Sequence, residues 1–496
     1  MSRRVVLSAA LALTLTAVVG IASSAIPAGA GTTKTYVVLY KRVAVPSGST
    51  TQIQNAGGSV IASYPQIGVI IARSDNDAFA STMKRDSRIF GVSATDGFGV
   101  RLPGSVDEEV ETVTVDPSLF PTSSDPLAGL QWDMDQIHAP EAHAVTGGSS
   151  QVVVGDIDTG LDFTHPDLAP NYDAANSADC SSGAPTPLLP GNDANGHGTH
   201  TAGTIASAAN GIGIVGVAPN VKIAGIKSSN DDGFFFPEMV ICSFMWAAGH
   251  GIDVTNNSYF ADPWLFNCKN DPEQRAIWNA ERRAISYAQS VGVVVISAAG
   301  NENIDLSKTN VDVISPDFPP GNEQERIVTN ACSVVPVEVP GVVGVSANGN
   351  LLQKAYYSTY GVGVVNVVAP GGDRRFQLTS AAPNGRVLST WPAALFVDGN
   401  PLFVKDPSGA TYVYLQGTSM ASPHVAGVAA LVRSVYPELM PGAVTAMLQS
   451  TADPQACPPN PFNPGPPFDF LAICTGGPGY NSFYGHGQVN ALSAVT

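Results

Sequence analysis

The stretch that decides the fold is GTSMASPH at residues 417–424, followed directly by the apolar, small-residue run VAGVAALV at 425–432. The run predicts a buried helix, with Ser419 at its start. Backbone N–H groups and the positive end of a helix dipole favour an oxyanion beside a serine hydroxyl placed there. A serine at a helix start is also a common N-cap, so this stretch alone leaves both interpretations of Ser419 open.

Two further stretches supply what a serine nucleophile requires. VVVGDIDTG at 152–160 predicts a buried strand that runs into a tight turn, with Asp158 at its carboxyl end. NGHGTHTAG at 195–203 predicts a loop that enters a small-residue helix, and it contains His197. A serine hydroxyl needs a general base, and the base needs a partner that fixes its tautomer. Asp158, His197 and Ser419 therefore form a candidate catalytic triad.

These motifs resemble those of the subtilisin-like serine proteases, or subtilases. The matching residues are DTG at 158–160, HGTH at 197–200 and GTSMASP at 417–423, in the chain order Asp, His, Ser. The resemblance extends from about Gln131 to the last residue, with insertions. It implies a serine endopeptidase that hydrolyses protein or peptide substrates through an acyl-enzyme.

In the mechanism that the resemblance implies, Ser419 attacks the peptide carbonyl, His197 transfers the proton and Asp158 orients His197. Asp156 lies two residues earlier on the same strand. We do not expect it to be the catalytic acid, because Asp158 is the residue followed by Thr-Gly.

Asn301 is a candidate oxyanion donor. It ends the sequence AAGN at 298–301, which matches the oxyanion motif of the family. A side-chain amide can donate to a developing oxyanion together with the backbone N–H of the serine. The alternative is an ordinary turn asparagine after a glycine.

The sequence VTNNSYF at 254–260 occupies the position where subtilases bind an extended peptide by β-pairing. The residues that the resemblance assigns to substrate binding are Ser258, Tyr259, Phe260, Ala298, Ala299 and Gly300. The usual family sequence here is Ser-Leu-Gly, and this chain has Ser-Tyr-Phe. The lost glycine predicts a narrowed or reshaped pocket for the side chain before the scissile bond, in place of the broad preference for large apolar side chains associated with the family.

The resemblance implies no cofactor for the chemistry but does imply a structural calcium site built from oxygen ligands. The matching side chains are those of Asp167 and Asn210, with Gln131 as a further candidate, and the matching carbonyls are those of Ala208, Ile212 and Ile214. A solvated aspartate and a turn asparagine are the alternative interpretation.

Strands and helices alternate along the chain from residue 152. Strands are expected at 152–158, 221–226, 253–258 and 293–298, and helices at 141–146, from 197, at 237–248 and at 273–290. This order predicts an α/β fold with a mainly parallel sheet covered by helices on both faces, which the resemblance specifies as the three-layer subtilisin-like fold. Site residues are then expected at the carboxyl ends of strands.

The N-terminal part of the chain predicts export. Residues 1–30 combine Arg3 and Arg4 with an apolar run and AGA at 28–30, which is typical of a signal peptide; an uncleaved membrane anchor is the alternative. A signal peptide implies a secreted, extracellular protein without stable membrane association.

A small α+β domain is expected at residues 31–104, resembling the inhibitory propeptide of subtilases, with an accessory domain as the alternative. Its expected strands are 35–40, 58–64 and 67–72, and its expected helices are 49–56 and 75–84. Residues 105–125 form an acidic, Thr/Pro/Ser-containing linker with the maturation site in or near it. The catalytic domain then spans 126–496, with insertions at about 373–411 and 457–475.

The six cysteines are disulfide candidates in an exported chain. The sequence does not choose among the possible pairings, and Cys457 with Cys474 is the first candidate because it closes a Pro-rich loop locally. Zinc is the competing interpretation, but no Cys-x-x-Cys spacing occurs. His197 and His200 share a helix face, yet HExxH is absent and the resemblance makes His200 structural.

Length and composition fit a compact, loop-rich protein of more than one folding unit. The 496 residues are 44% hydrophobic and 13% charged, and the formal net charge is −17. This charge argues against binding to nucleic acid or anionic membranes. We expect a monomer.

A catalytically silent binding protein on the same fold is the alternative function. An esterase of the α/β-hydrolase type is a third interpretation, but it would require Gly-x-Ser-x-Gly around the serine.

Overall fold

The computed structural model describes residues 32–95, 125–260, 264–316, 323–466 and 470–496. The expected signal peptide and nearly all of the expected linker lie outside the described residues. Within these ranges, no helix combines the length and the apolar character needed to cross a membrane.

The first 64 described residues form a separate antiparallel sheet with two short helices. Its elements are β1 (Lys34–Tyr40), α1 (Ser49–Asn55), β2 (Gly58–Tyr64), β3 (Val69–Ser74), α2 (Phe79–Met83) and β4 (Ile89–Ala94). The strand order is β2-β3-β1-β4. β4 has no counterpart among the predicted strands, and α2 is shorter than the predicted helix because the start of the 75–84 segment is a polar turn.

Period-two alternation along β1 gives this sheet two buried faces. Tyr36, Val38 and Tyr40 pack with the helices of the unit itself. Val37 and Leu39 point to the other side and pack on the larger domain. A strand whose side chains are apolar on both faces requires cover on both, so the unit docks by its open sheet face.

The larger domain contains the predicted alternation of strands and helices. Its first half comprises α3 (Trp132–Gln136), α4 (Ala139–His143), β5 (Val153–Asp158), β6 (Ala178–Asp179), α5 (His197–Ala206), β7 (Lys222–Lys227), α6 (Pro237–Gly249), β8 (Val254–Asn257), β9 (Asn267–Cys268), α7 (Pro272–Ser290) and β10 (Val294–Ala298). The helix predicted at 141–146 is α4, which begins and ends earlier.

The second half adds more strands than the sequence analysis identified. It comprises β11 (Asn310–Asp312), β12 (Arg326–Val328), β13 (Cys332–Ser333), β14 (Val343–Asn348), β15 (Val365–Pro370), β16 (Val387–Thr390), β17 (Phe403–Lys405), β18 (Thr411–Leu415), α8 (Thr418–Val435), α9 (Pro441–Ser450), β19 (Gly476–Gly477), β20 (Tyr480–Asn481) and α10 (Ala491–Val495). Single-turn 3₁₀ helices at Ala128–Leu130 and Ala393–Leu395 complete the described elements.

Seven parallel strands form the central sheet in the order β15-β14-β10-β8-β5-β7-β6. Val154 points to the face covered by α5, α8 and α9. Val153 and Ile157 point to the opposite face, covered by α6 and α7. The predicted three-layer subtilisin-like α/β fold is therefore confirmed. The carboxyl ends of β5, β8 and β10 meet at one edge of the sheet.

The insertion predicted at about 373–411 builds a small antiparallel sheet, with β18 between β16 and β17. Within it, 393–395 is a 3₁₀ turn and β17 pairs with 411–415. Ser389 Oγ donates to the His200 carbonyl at 2.7 Å, so the inserted sheet lies on α5. It thus supports the helix that carries His197.

Three disulfides join the six cysteines. Cys457–Cys474 is confirmed, and the other two pairs are Cys180–Cys242 and Cys268–Cys332. The latter two close loops of 62 and 64 residues, and closure of such loops restricts the unfolded chain more than the local bridge of 17.

Arg283 on α7 should anchor the N-terminal unit. Its guanidinium donates to the carbonyls of Tyr40 at 2.9 Å and Ile67 at 3.0 Å. Hydrogen bonds from charged groups contribute about 1.5–3 kcal/mol each, so Arg283→Met should accelerate amide hydrogen exchange in β1 and β3 by roughly tenfold or more, as measured by mass spectrometry. Arg282→Met is the matched control, because that guanidinium lies over the Trp278 ring. Unchanged exchange in Arg283→Met would contradict the anchoring role.

Candidate active site

Asp158 and His197 form a buried, directly hydrogen-bonded pair. Asp158 ends β5 and His197 begins α5, and the two side chains are 0% and 4% exposed. His197 Nδ1 lies 2.7 Å from Asp158 Oδ1, which also accepts the Thr159 backbone N–H at 2.7 Å. Burial opposes the imidazolium, but the charge and hydrogen bond of Asp158 outweigh it and raise the pKa of His197. The ring is thereby held with Nε2 free to act as a base.

Asp193 fixes the loop that leads into His197. One carboxylate oxygen accepts from the Thr159 hydroxyl at 2.9 Å and from the Gly196 N–H at 2.8 Å. The other accepts from the Thr199 N–H and hydroxyl. Asp193 is not among the residues predicted from the sequence; the signal for it is an aspartate four residues before His197 at a helix start, where carboxylates accept free N–H groups.

Ser419 is the second residue of α8, and its side chain lies at the carboxyl end of β8. The hydroxyl donates to the Ser258 carbonyl at 3.1 Å. The Ser258 hydroxyl donates in turn to the Ser419 carbonyl at 2.9 Å. These reciprocal bonds hold the start of α8 against the end of β8, so Ser419 is not merely an N-cap: α8 has no side-chain cap.

Asn301 and the Ser419 backbone share one small space. Asn301 Oδ1 accepts from the Thr418 N–H at 2.9 Å and from its hydroxyl at 3.0 Å, which orients the amide NH₂. A Cβ on Gly417 would lie 3.5 Å from Asn301 Nδ2 and 3.6 Å from Ser419 N. Glycine therefore keeps open a space flanked by two N–H donors, the arrangement that an oxyanion requires.

The residues assigned to substrate binding follow two adjacent strands of the sheet, and Gly300 contacts Thr418 beside the serine. Gly300 is fixed on both sides, because its N–H donates to the Thr418 hydroxyl at 3.1 Å and its carbonyl accepts from Thr359 N at 3.0 Å. Ala298 and Ala299 are buried at the end of β10. Both segments, 258–260 and 298–300, leave adjacent strands, β8 and β10.

The two aromatic residues that replace the family's Leu-Gly point into the protein. The Tyr259 ring is 4% exposed and stacks on Phe235, with centroids 4.3 Å apart and planes 5° apart. Phe260 packs against the cluster around Leu265 and the Cys268–Cys332 disulfide. The Phe260 side chain thus fills space that a glycine would leave open.

Lys354 is a second residue that the sequence analysis missed. It is 1% exposed, and its ammonium donates to Asn303 Oδ1 at 2.6 Å and lies 5.2 Å from the centre of the Tyr360 ring. Asn303 adopts a left-handed φ of 54° two residues after Asn301. Lys354 therefore fixes the loop that carries the amide. Burial lowers the pKa of Lys354 to about 7, against an opposing effect of Asp373.

This shift gives Lys354 a pH signature. Unfolded lysine has a pKa of about 10.4, so unfolding takes up a proton between pH 7 and 10 and the free energy of unfolding rises with pH in that window. Between pH 7 and 9.5, the free energy of unfolding of the wild type should rise by at least about 1.4 kcal/mol more than that of Lys354→Met, the equivalent of one pKa unit. Denaturant titrations with Ser419→Ala in both chains measure the difference. The same difference in unfolding free energy between the two chains at pH 7 and at pH 9.5 would refute the expectation.

The side chains that the sequence predicted as calcium ligands are partly committed to protein hydrogen bonds. Asp167 Oδ2 accepts from Tyr412 OH at 3.0 Å and from Ile214 N at 3.1 Å. Gln131 Oε1 accepts from Val215 N, and Asn210 Oδ1 accepts from Ile212 N. Asp167 Oδ1, in contrast, is buried without a hydrogen-bond partner among the described residues, so this oxygen is available to a cation. Tyr412 comes from β18 beside the insertion, which the family pattern does not specify.

His197 and His200 do not form a metal pair. Their rings have different partners, since His200 Nε2 lies 3.2 Å from the Val413 carbonyl and His197 is bonded to Asp158. Burial, together with the nearby His197, lowers the pKa of His200 to about 3. His200 is accordingly a neutral residue that joins α5 to the inserted sheet.

Comparison with known proteins identifies the family. A model described as the subtilase family matches residues 149–487. The chain belongs to the subtilase family. As a subtilase it is a serine endopeptidase, a hydrolase that acts on peptide bonds and has peptides or proteins as substrates.

Two relatives indicate how much of the chain is shared. Subtilisin NAT of Bacillus subtilis subsp. natto is 30% identical over 354 residues, 70% of this chain and 74% of that protein. Fervidolysin of Fervidobacterium pennivorans is 28% identical over 424 residues, 81% of this chain and 52% of that protein.

Solved structures extend the similarity to nearly the whole chain. The crystal structure of fervidolysin, described as a keratinolytic enzyme related to subtilisin, covers 94% of this chain with a TM-score of 0.66 and 25% identity. The epidermin leader peptide processing serine protease of Staphylococcus aureus covers 93% with a TM-score of 0.67 and 21% identity, which supports the fold alone.

Proposed function

We propose that this subtilase is a secreted endopeptidase, made as a precursor that matures itself, with Asp158, His197 and Ser419 as its triad. Asn301 and the Ser419 N–H are the proposed oxyanion donors. The observation that carries the proposal is the space in front of Gly417, where Asn301 Nδ2 and Ser419 N converge beside the serine. Its chemistry requires no cofactor.

In the proposed reaction the Ser419 hydroxyl turns from the Ser258 carbonyl to His197 Nε2 and attacks the scissile carbonyl. His197 takes the hydroxyl proton and delivers it to the leaving amine. Asp158 stabilises the imidazolium through the 2.7 Å bond to Nδ1. The negative charge that develops on the carbonyl oxygen is stabilised by Asn301 Nδ2 and Ser419 N, a contribution of about 3 kcal/mol for one such donor. Water then hydrolyses the acyl-enzyme.

The N-terminal unit is the proposed inhibitory propeptide. Its sheet packs on α6 and α7 through Val37 and Leu39. Two hydrogen bonds add to this contact: Ser93 Oγ donates to the Glu273 carbonyl at 3.0 Å, and Tyr64 OH to the Gly183 carbonyl at 3.2 Å. β4 ends at Ala94, beside α7. The proposed maturation site lies in or near residues 105–125.

The alternative, a catalytically silent binding protein, requires at least one defective catalytic group. The four proposed groups are present, and Asp158, His197 and Asn301 have the partners that catalysis requires. The endopeptidase therefore explains the geometry better.

The deciding experiment compares the exported wild type with Ser419→Ala by intact mass, N-terminal sequencing and a fluorophosphonate probe. We expect a wild type trimmed near residues 105–130 and labelled on Ser419, and a full-length mutant without label. Equal trimming of both would assign maturation to another protease. A trimmed wild type that takes no label would favour the binding protein.

Phe260 should restrict the pocket for the side chain before the scissile bond. Its ring replaces a glycine of the family directly after β8, and β8 is the neighbour of β10, the strand that leads into 298–300. Peptide amides with Ala at that position should be cleaved with a higher kcat/KM than those with Phe or Leu. Phe260→Gly should raise the Phe-to-Ala ratio by about tenfold, the effect of one or two methylene equivalents. Equal cleavage of all three by wild type would end the restricted-pocket hypothesis.

A further inference from the structure

Asp156 is a buried carboxyl group in the centre of the domain that the proposed mechanism does not use. It lies on β5 two residues before Asp158, and its side chain is 2% exposed. Because side chains alternate along a strand, Asp156 and Asp158 share the face of Val154, which is covered by α5 and α8. An apolar residue would be the ordinary choice there, since burial of an unpaired charge costs several kcal/mol.

One oxygen of Asp156 contacts the helix that carries His197. Thr201 Oγ1 on α5 lies 2.7 Å from Asp156 Oδ2. The same hydroxyl lies 3.1 Å from the Gly198 carbonyl and 3.4 Å from the His197 carbonyl. Thr201 thus connects Asp156 to the first turn of α5.

The other carboxyl oxygen of Asp156 is connected by hydrogen bonds to the segment that carries Ser419. Asn256 Nδ2 on β8 donates to Asp156 Oδ1 at 2.8 Å. Asn256 Oδ1 accepts from the Ser422 hydroxyl on α8 at 2.7 Å, and Asn256 Nδ2 lies 3.1 Å from Ser258 Oγ. Ser258 completes the chain by donating to the Ser419 carbonyl at 2.9 Å.

We propose that Asp156 is a positioning residue that ties together the three segments carrying Asp158, His197 and Ser419. Through Thr201 it holds the first turn of α5, and through Asn256 it holds the end of β8 and the start of α8. A single side chain on β5 thereby sets the distances among the catalytic groups. The inference rests on the proposed function for its peptidase readout.

The contacts of Asp156 accommodate the uncharged acid as well as the carboxylate. When the Thr201 hydroxyl donates to the Gly198 carbonyl at 3.1 Å, it can accept the Asp156 proton across the 2.7 Å contact; when Asp156 is ionised, Thr201 donates to it instead. Burial first, and then the charge of Asp158, raise the pKa of Asp156 well above its ordinary value, against smaller opposing effects of Asn256, Thr201 and His197. The titratable groups facing it are Asp158 on its own strand and His197 on α5.

Asp156→Asn and Asp156→Val separate the two parts of the inference. Asparagine can donate to Thr201 and accept from Asn256, so Asp156→Asn should retain kcat within about threefold and leave the acid limb of the pH–kcat/KM profile unmoved. Valine removes both bonds, so Asp156→Val should lower kcat by roughly tenfold or more with little change in KM, as for small misplacements of catalytic groups.

Thr201→Val tests the same connection without altering a carboxyl group. It should lower kcat in the same direction, and in the Asp156→Val background it should add little, since the two residues act as a unit. The matched control is Thr204→Val, one turn further along α5, whose hydroxyl bonds at 3.4 Å to the His200 carbonyl of its own helix. It should leave kcat unchanged. If Asp156→Val does not fold, Thr201→Val alone decides.

Proton NMR of the His197 Nδ1–H in full-length Ser419→Ala chains makes the result independent of peptidase activity. Asp156→Asn should leave the His197 pKa within about 0.3 unit, whereas removal of a nearby negative charge would lower it by about one unit or more and overturn the uncharged form. Wild-type kcat in both Asp156→Val and Thr201→Val would overturn the positioning role. A wild type without activity or probe labelling would refute the proposed function instead. In that case the NMR titration still tests the positioning role, which an unaltered His197 pKa in both Asp156→Val and Thr201→Val would refute.

Discussion

The buried hydrogen bond between Asp158 and His197 is the constraint on which the rest of the structure depends. A carboxylate with 0% exposure is unfavourable unless its charge and lone pairs are matched. Oδ1 is matched by the Thr159 N–H and the imidazole, both at 2.7 Å, whereas Oδ2 has no hydrogen-bond partner among the described residues, so the charge depends on these two contacts. Each partner must then be fixed as well. Asp193 does so, since it accepts from Thr159, from the loop before His197 and from the first turn of α5. The local structure of 158–160 and 193–199 therefore follows from the need to hold one charge in the interior.

The inserted sheet extends the same support to the other side of α5. Ser389 and Thr390 donate to the carbonyls of His200 and Thr199 at 2.7 and 2.6 Å, in addition to the helical bonds of those residues. Trp391 lies against Gly196, where a Cβ would come within 2.5 Å of the indole ring. The left-handed φ of 90° at Gly196 starts the helix, and the ring leaves room for no larger residue. Tyr412 on the same sheet donates to Asp167 Oδ2 at 3.0 Å. The inserted sheet thus supports both α5 and the loop that carries Asp167.

The fold and the principal site residues could be predicted from the sequence because their signals are local. Apolar strands followed by DTG, HGTH or AAGN place Asp158, His197 and Asn301 at strand ends or helix starts, and a parallel sheet brings such ends to one edge. Lys354 and Asp193 could not be found this way. Lys354 lies 51 residues from its partner Asn303, and nothing in its own segment marks it as buried. The sheet of the insertion could not be predicted for a related reason: β16 pairs with β18 across the whole of β17, and no local pattern marks that pairing.

The central strands carry buried polar residues that position the catalytic groups, whereas the outer strands and helices supply apolar burial. On the face of β5 and β8 that α5 and α8 cover, Asp156, Asp158 and Asn256 take positions that apolar side chains hold in other parts of the sheet. Each is buried, so each requires a partner, and the partners are distributed over three different segments. An apolar core would pack the same helices with more freedom in their relative positions. Hydrogen bonds with defined lengths and directions leave less freedom, because a misplaced partner leaves a buried polar atom unsatisfied. The positional accuracy that a nucleophile, a base and an oxyanion site require is therefore obtained by giving up apolar burial in the centre of the sheet, while the outer strands and helices retain it.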